Sequence, residues 1–191
     1  MADQGQVKTD ELDPQAEARR RLALAQIRQY PDPVLRLRSH EVEAFDADLA
    51  QLVDRMARLM QDASGVGLAA NQVGVSLRVC VIHVPGDDVV VLVNPEIVKR
   101  TGTRECDEGC LSLPGYKGVL TRSEKVVVKG LNRDGRPVRY HAEDLFAEAI
   151  EHEVDHLNGI LYFDYLDSID QLVPYGRSDD GEEEEVAAKG S

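Results

Sequence analysis

Between residues 46 and 62 the apolar positions Leu49, Leu52, Val53, Met56, Leu59 and Met60 recur three and four apart. That is the period of one buried helix face, and Asp46 stands where a side chain can accept the first free amide N–H groups. The pattern predicts a helix over 46–62. A second helix is predicted over 143–158, where Leu145, Ala149, His152 and His156 form one inward-facing stripe and Asn158-Gly159 offers a left-handed cap. Between the helices the reading changes to strands. Segments 78–84 and 89–94 flank Pro85-Gly86-Asp87-Asp88, and segments 124–131 and 136–141 flank Asn132-Arg133-Asp134-Gly135. Both read as hairpins. Helices grouped apart from antiparallel hairpins, without β-α-β alternation, predict an α+β fold.

The 191 residues suit one domain with a sizeable core. The first 25 or so are polar and read as irregular, and 179–185 is nearly all acid. The expected organisation is a flexible extension over 1–27, an ordered domain over 28–175 and a disordered acidic tail over 176–191. Net charge is −13; the tail has six acidic and two basic residues, so −9 remains in the rest of the chain. An acidic surface of this kind repels phosphate backbones and argues against a broad nucleic-acid-binding face, though not against a small basic patch; no direct sequence-specific nucleic-acid binding is expected. The longest aliphatic run, 89–93, is too short to cross a bilayer, and the polar start does not read as a secretory signal. Three cysteines are too few and too odd for a disulfide framework. Together these place the chain in the cytoplasm, away from membranes.

The chemistry gathers in three segments. In His152-Glu153-Val154-Asp155-His156, residues four apart lie one helical turn apart, so two imidazoles can meet one cation, with Glu153 beside them. A catalytic site of this type has three protein ligands and one open position. A third histidine at the metzincin spacing is absent, because Tyr162 stands there. Glu182–Glu185 fall in the acidic tail, and His40, His83 and His141 have no motif around them. Cys110, between Gly109 and Pro114 in what reads as a constrained loop, completes a tetrahedral set with one vacant corner. Cys106 would fill that corner and is read as structural, as is Cys80 within an apolar strand. The third segment, Gly65-Val-Gly-Leu-Ala-Ala-Asn-Gln72, reads as a loop whose glycines let backbone approach a substrate.

Gly65–Gln72, Glu108-Gly-Cys-Leu-Ser112 and His152–His156, in this order, resemble the three signatures of the peptide deformylase family, and the resemblance runs from about Arg28 to Leu166. It implies that Cys110, His152 and His156 bind one metal ion, naturally Fe²⁺, with Zn²⁺, Ni²⁺ or Co²⁺ able to substitute. It implies Glu153 as general base and acid, and the Gln72 amide and Leu111 N–H as donors to the formyl oxygen. Gly67, Val66, Gly109 and Leu145 are implied at the substrate. The implied partners are formyl-methionyl N-termini of nascent chains, met by a monomer in transient contact with the ribosome.

Two features depart from this picture. Glu148, one turn before His152, could face the side-chain pocket, where an apolar residue suits methionine better; the expectation is that it points to solvent. The acidic end lacks the basic C-terminal helix some relatives use for ribosome docking. Three other classes stay open on sequence grounds: a general H-E-x-x-H metalloprotease, a thiol hydrolase using Cys110 with a histidine, and a catalytically silent binding protein.

Overall fold

The computed structural model of the chain describes residues 13–175. Three α-helices, α1 (Pro14–Leu24), α2 (Ala47–Asp62) and α3 (Asp144–Leu157), accompany eight strands. Five strands form an antiparallel sheet in the order β1 (Gly67–Ala69), β2 (Val79–Ile82), β3 (Val90–Thr101), β6 (Lys125–Leu131) and β7 (Pro137–Glu143). The other three, β4 (Arg104–Cys110), β5 (Leu113–Arg122) and β8 (Val173–Pro174), form a smaller sheet in the order β4-β5-β8. This is the expected α+β architecture.

The larger sheet is covered on both faces. In β2, Val79 and Val81 pack into one core with Val53, Met56 and Met60 of α2, while Cys80 and Ile82 pack into another with Ile150, Val154 and Leu157 of α3. A strand buried on both sides reads as a continuous apolar run rather than an alternation, and all four of its residues are buried. Burial of Cys80 at 0% exposure fits its reading as a core residue.

Both predicted helices form, each within a residue or so of its expected limits. Asp46 caps α2, its carboxylate accepting the N–H groups of Asp48 and Leu49 at 3.1 and 3.0 Å. Helix α3 closes at Gly159, with φ of 75°. A Cβ there would lie 2.4 Å from the Arg36 carbonyl oxygen, so the position needs glycine twice over.

Three expectations are corrected. Residues 14–24 of the presumed irregular extension form α1: Asp13 caps it, Pro14 opens it, and it is built mainly of alanine, arginine and leucine. Ala23 is its one buried residue, so it lacks the apolar stripe that periodicity detects; residues 1–12 lie outside the described part. Cys110 does not sit in a loop but ends β4, where the register with β5 shifts between Gly109 and Cys110. The segment read as a glycine-rich loop contains β1 followed by a 3₁₀ turn, Ala70–Val73. The tail from residue 176 lies outside the described residues. No helix among the described residues is long and apolar enough to cross a membrane.

Candidate metal centre and substrate cavity

Helix α3 is anchored by side-chain bonds from its own acidic residues. Glu151 accepts the Ser123 N–H at 2.8 Å and the Ser123 hydroxyl at 3.0 Å, and pairs with Arg100 at 2.9 Å. Asp155, one turn on, accepts Arg122 at 2.6 Å. These anchors fix the rotation of the helix, so His152 and His156 turn toward the end of β4. There Cys110 Sγ lies 3.2 Å from His156 Nε2, which lies 3.1 Å from His152 Nε2. The three ligand atoms fall within 4.8 Å of one another. Cys106, on the same face of β4, is outside this group and packs beside Glu148, where burial and then that carboxylate push its thiol up to about 12.

Surrounding groups set the protonation of the cluster. Glu108 accepts both Arg122 Nε and Nη2 at 2.8 Å and also bonds His152 Nδ1. Burial alone would raise its carboxyl, but Arg122 and His152 outweigh that and hold it at about 2. A carboxylate on Nδ1 fixes the tautomer and leaves the Nε2 lone pair facing the cluster. For His152, burial opposes a proton, yet Glu108 and Cys110 together favour positive charge there and the net shift is upward. His156 is held neutral by burial and by His152. Two ring nitrogens and a sulfur converging beside a fixed carboxylate call for a central cation. One proton cannot bridge all three, whereas a soft thiolate with two imidazoles is a donor set for a divalent transition metal. The residues fit such an ion.

Glu153 is built differently. It is 3% exposed, and among the described residues its Oε2 has no hydrogen-bond partner. Burial raises its carboxyl to about 7. Its Oε1 lies against Gly67, where an added Cβ would stand 2.2 Å away. Any side chain at 67 would therefore displace this carboxylate, a reason for glycine beyond contact with a peptide.

Gln72 is fixed by its neighbours. Its Oε1 accepts the Ala69 N–H at 2.8 Å, which leaves the NH₂ end donating to Ser112 Oγ at 3.1 Å and Cys110 Sγ at 3.6 Å. The carbonyl contact settles which way the amide faces. The carbonyl of Leu111 accepts Gln29 Nε2 at 3.0 Å, pinning the peptide after the cysteine.

One cavity of about 290 Å³ is lined by Gln72, Cys110, Leu111, His152 and Glu153. Val66, Gly67, Gly109 and Leu145 also line it. His156 alone of the candidates lies behind the wall, 1% exposed. Glu148 corrects the expectation of a solvent-facing side chain: it lines the cavity, 15% exposed, and pairs with Arg104 of β4 at 2.7 Å. The local sequence of α3 could not show that pairing. Tyr162, which stands where a metzincin histidine would be, is buried and stacks against His152 with ring centroids 6.3 Å apart. Sequence reasoning missed the supports Arg122, Asp155 and Ser112. No local signal marked them, because the alternation along β4 that puts Glu108 on the same side as Cys110 emerges only with the strand itself.

An α+β domain whose central helix turns His-Glu-x-x-His onto a strand-end cysteine, with an unpartnered acid in the same cavity, is of the metal-dependent amide hydrolase class. Comparison with known proteins sharpens this. The polypeptide deformylase family model matches residues 24–172. A peptide deformylase of Dehalococcoides mccartyi (strain CBDB1) is 48% identical over 164 residues, 85% of this chain and 98% of that one. The peptide deformylase structure from Legionella pneumophila superposes with a TM-score of 0.74 at 46% identity, covering 76% of this chain and 87% of that one. The enzyme from Synechococcus elongatus, solved in complex with actinonin, gives 0.73 at 37% identity, covering 76% and 82%. The chain belongs to the peptide deformylase family.

Proposed function

We propose that this chain removes the formyl group from the N-terminal formyl-methionine of newly made proteins, releasing formate and a free amine. The observation that carries the reading is the meeting of the Cys110/His152/His156 cluster with the buried Glu153 carboxylate, whose Oε2 has no partner among the described residues, at one cavity lined by Cys110, His152 and Glu153. Cys110, His152 and His156 hold the ion, Fe²⁺ in our reading, with Zn²⁺, Ni²⁺ or Co²⁺ able to replace it. When bound, such an ion supplies Lewis acidity to water and to the formyl oxygen near neutral pH.

The chain's own residues do the rest. Glu153 takes the proton from the attacking water and passes it to the leaving nitrogen as the C–N bond breaks. The NH₂ of Gln72 and the N–H of Leu111 donate to the formyl oxygen as negative charge gathers there. Val66, Gly67, Gly109 and Leu145 bound the space for the peptide. A formyl group carries only hydrogen on its far side, so a narrow cavity admits it and excludes internal amides by shape. The enzyme works in the cytoplasm as a monomer, meeting nascent chains near the ribosome.

The test is anaerobic purification, metal analysis and formate release from a formyl-methionyl peptide. Chelation should abolish turnover and added Fe²⁺ should restore it. Full activity after metal removal would favour Cys110 as a thiol nucleophile instead. Cleavage of unformylated internal peptides would favour a general metalloprotease.

A further inference from the structure

Helix α1 lies before the stretch matched by the family model, except for its last residue, Leu24. Ala23, in its last turn, is buried in the same core as Met56 and Met60 of α2. This packing brings Arg20, an exposed residue, to the lining of the cavity that Ser64 and Gly65 also line. The acidic side chains lining that cavity are already engaged, apart from Glu153. Asp107 pairs with Lys117, Glu108 with Arg122 and Glu148 with Arg104. Arg20 makes no ion pair among the described residues and is the one arginine or lysine lining the cavity. A cavity lined by one uncommitted guanidinium, on a chain of net charge −13, is complementary to an isolated negative group entering with the substrate.

We propose that Arg20 is a specificity-determining residue that favours formyl peptides carrying an acidic side chain soon after the first residue. The carboxylate meets the guanidinium outside the reacting centre, so it is held equally in the ground and transition states. Its effect therefore falls on KM and not on kcat. The pair is solvent-exposed, so the preference is modest, about two- to five-fold, and fades as salt rises. The proposal rests on the deformylase reading of the same cavity.

The experiment measures formate release from C-terminally amidated formyl-methionyl peptides differing only in Glu, Gln or Lys, placed in turn at the second, third and fourth residues. Amidation removes the terminal carboxylate, which would otherwise occupy Arg20 itself. At low salt the parent should show lower KM for Glu than for Lys at one of these positions, with kcat unchanged. Arg20→Glu should reverse the order, and Arg19→Glu, a neighbouring charge that does not line the cavity, should preserve it. Equal KM values in the parent at all three positions, or a preference that survives in Arg20→Glu, would overturn the role of Arg20. No turnover of the Gln peptides by the metal-loaded parent would overturn the deformylase reading together with it.

Discussion

Glu108 and Glu153 are buried acids on either side of His152, at 4% and 3% exposure, and they are constructed in opposite ways. Glu108 receives a two-pronged guanidinium and a ring N–H, and stays ionised down to about 2. Glu153 has a free oxygen and a glycine against its other, and burial holds its carboxyl at about 7. A buried charge with all its partners is fixed in place and steers its neighbour. A buried acid with an unmet oxygen is costly to keep and useful for moving a proton. Burial alone therefore does not distinguish support from reactivity; the partner count does.

The largest effect should come from removing the unpartnered acid. Glu153→Ala is expected to lower kcat by about 10²–10⁴-fold, the usual contribution of a positioned general base. Metal content should be unchanged, since Glu153 is not among the three clustered ligand atoms. The melting temperature should hold or rise, because an unsatisfied buried oxygen is lost. Turnover within tenfold of the parent at full metal loading would end the contrast between the two acids.

Gln72→Leu should come next. The donor facing the cluster is lost while other donors remain, so kcat is expected to fall about 10²–10³-fold with little change in KM. Because Gln72 also satisfies the Ala69 N–H and bonds Ser112, the variant should melt lower as well. A lowered melt with normal kcat would reduce Gln72 to a brace.

Glu108→Gln probes the other side of the comparison. It keeps the shape but gives His152 and Arg122 a neutral partner, so metal affinity should weaken about 10–100-fold. Activity per bound ion should stay near that of the parent, which anaerobic titration with paired kinetics measures. If activity per ion collapsed instead, Glu108 would belong with Glu153 among the reacting groups.

The same contrast explains how far the sequence could be read. His152, Glu153 and His156 were legible because helical spacing is a local property, and Cys110 because few residue types supply a third ligand. The α2 stripe and its Asp46 cap were legible for the same reason. Arg122 was not: its partners Glu108 and Asp155 lie 14 and 33 positions away, and only the pairing of β4 with β5 and the position of α3 bring them together. Glu148 failed likewise, because Arg104 is 44 positions distant. Helix α1 was missed because it buries only Ala23, leaving no periodic apolar face to find. The β4–β5 hairpin was hidden by its own motif, since a glycine, a register shift and a proline read as a loop.

The smallest effect is expected from the third group of acids, those near the C-terminus. Deleting 179–191 removes six acidic residues and one basic one, a larger change in formal charge than either single substitution. Charge number is not what separates Glu108 from Glu153, however. Each acts through contacts of a few ångströms in a dry interior, where interactions are barely screened. Charges in water fade over about 8–10 Å at ordinary salt. The deleted stretch has few apolar residues with which to build a dry site and contains none of the three motifs. The kcat on a free formyl-methionyl peptide should therefore stay within about twofold of the parent, since nothing in the ~10²–10⁴-fold general-base contribution is touched. A salt series on both proteins separates the alternatives. A difference confined to low salt is the distant field of the removed charges. A large fall in kcat that persists at high salt would make these acids part of the site, and partner count within residues 13–175 would no longer suffice to tell a supporting carboxylate from a reacting one.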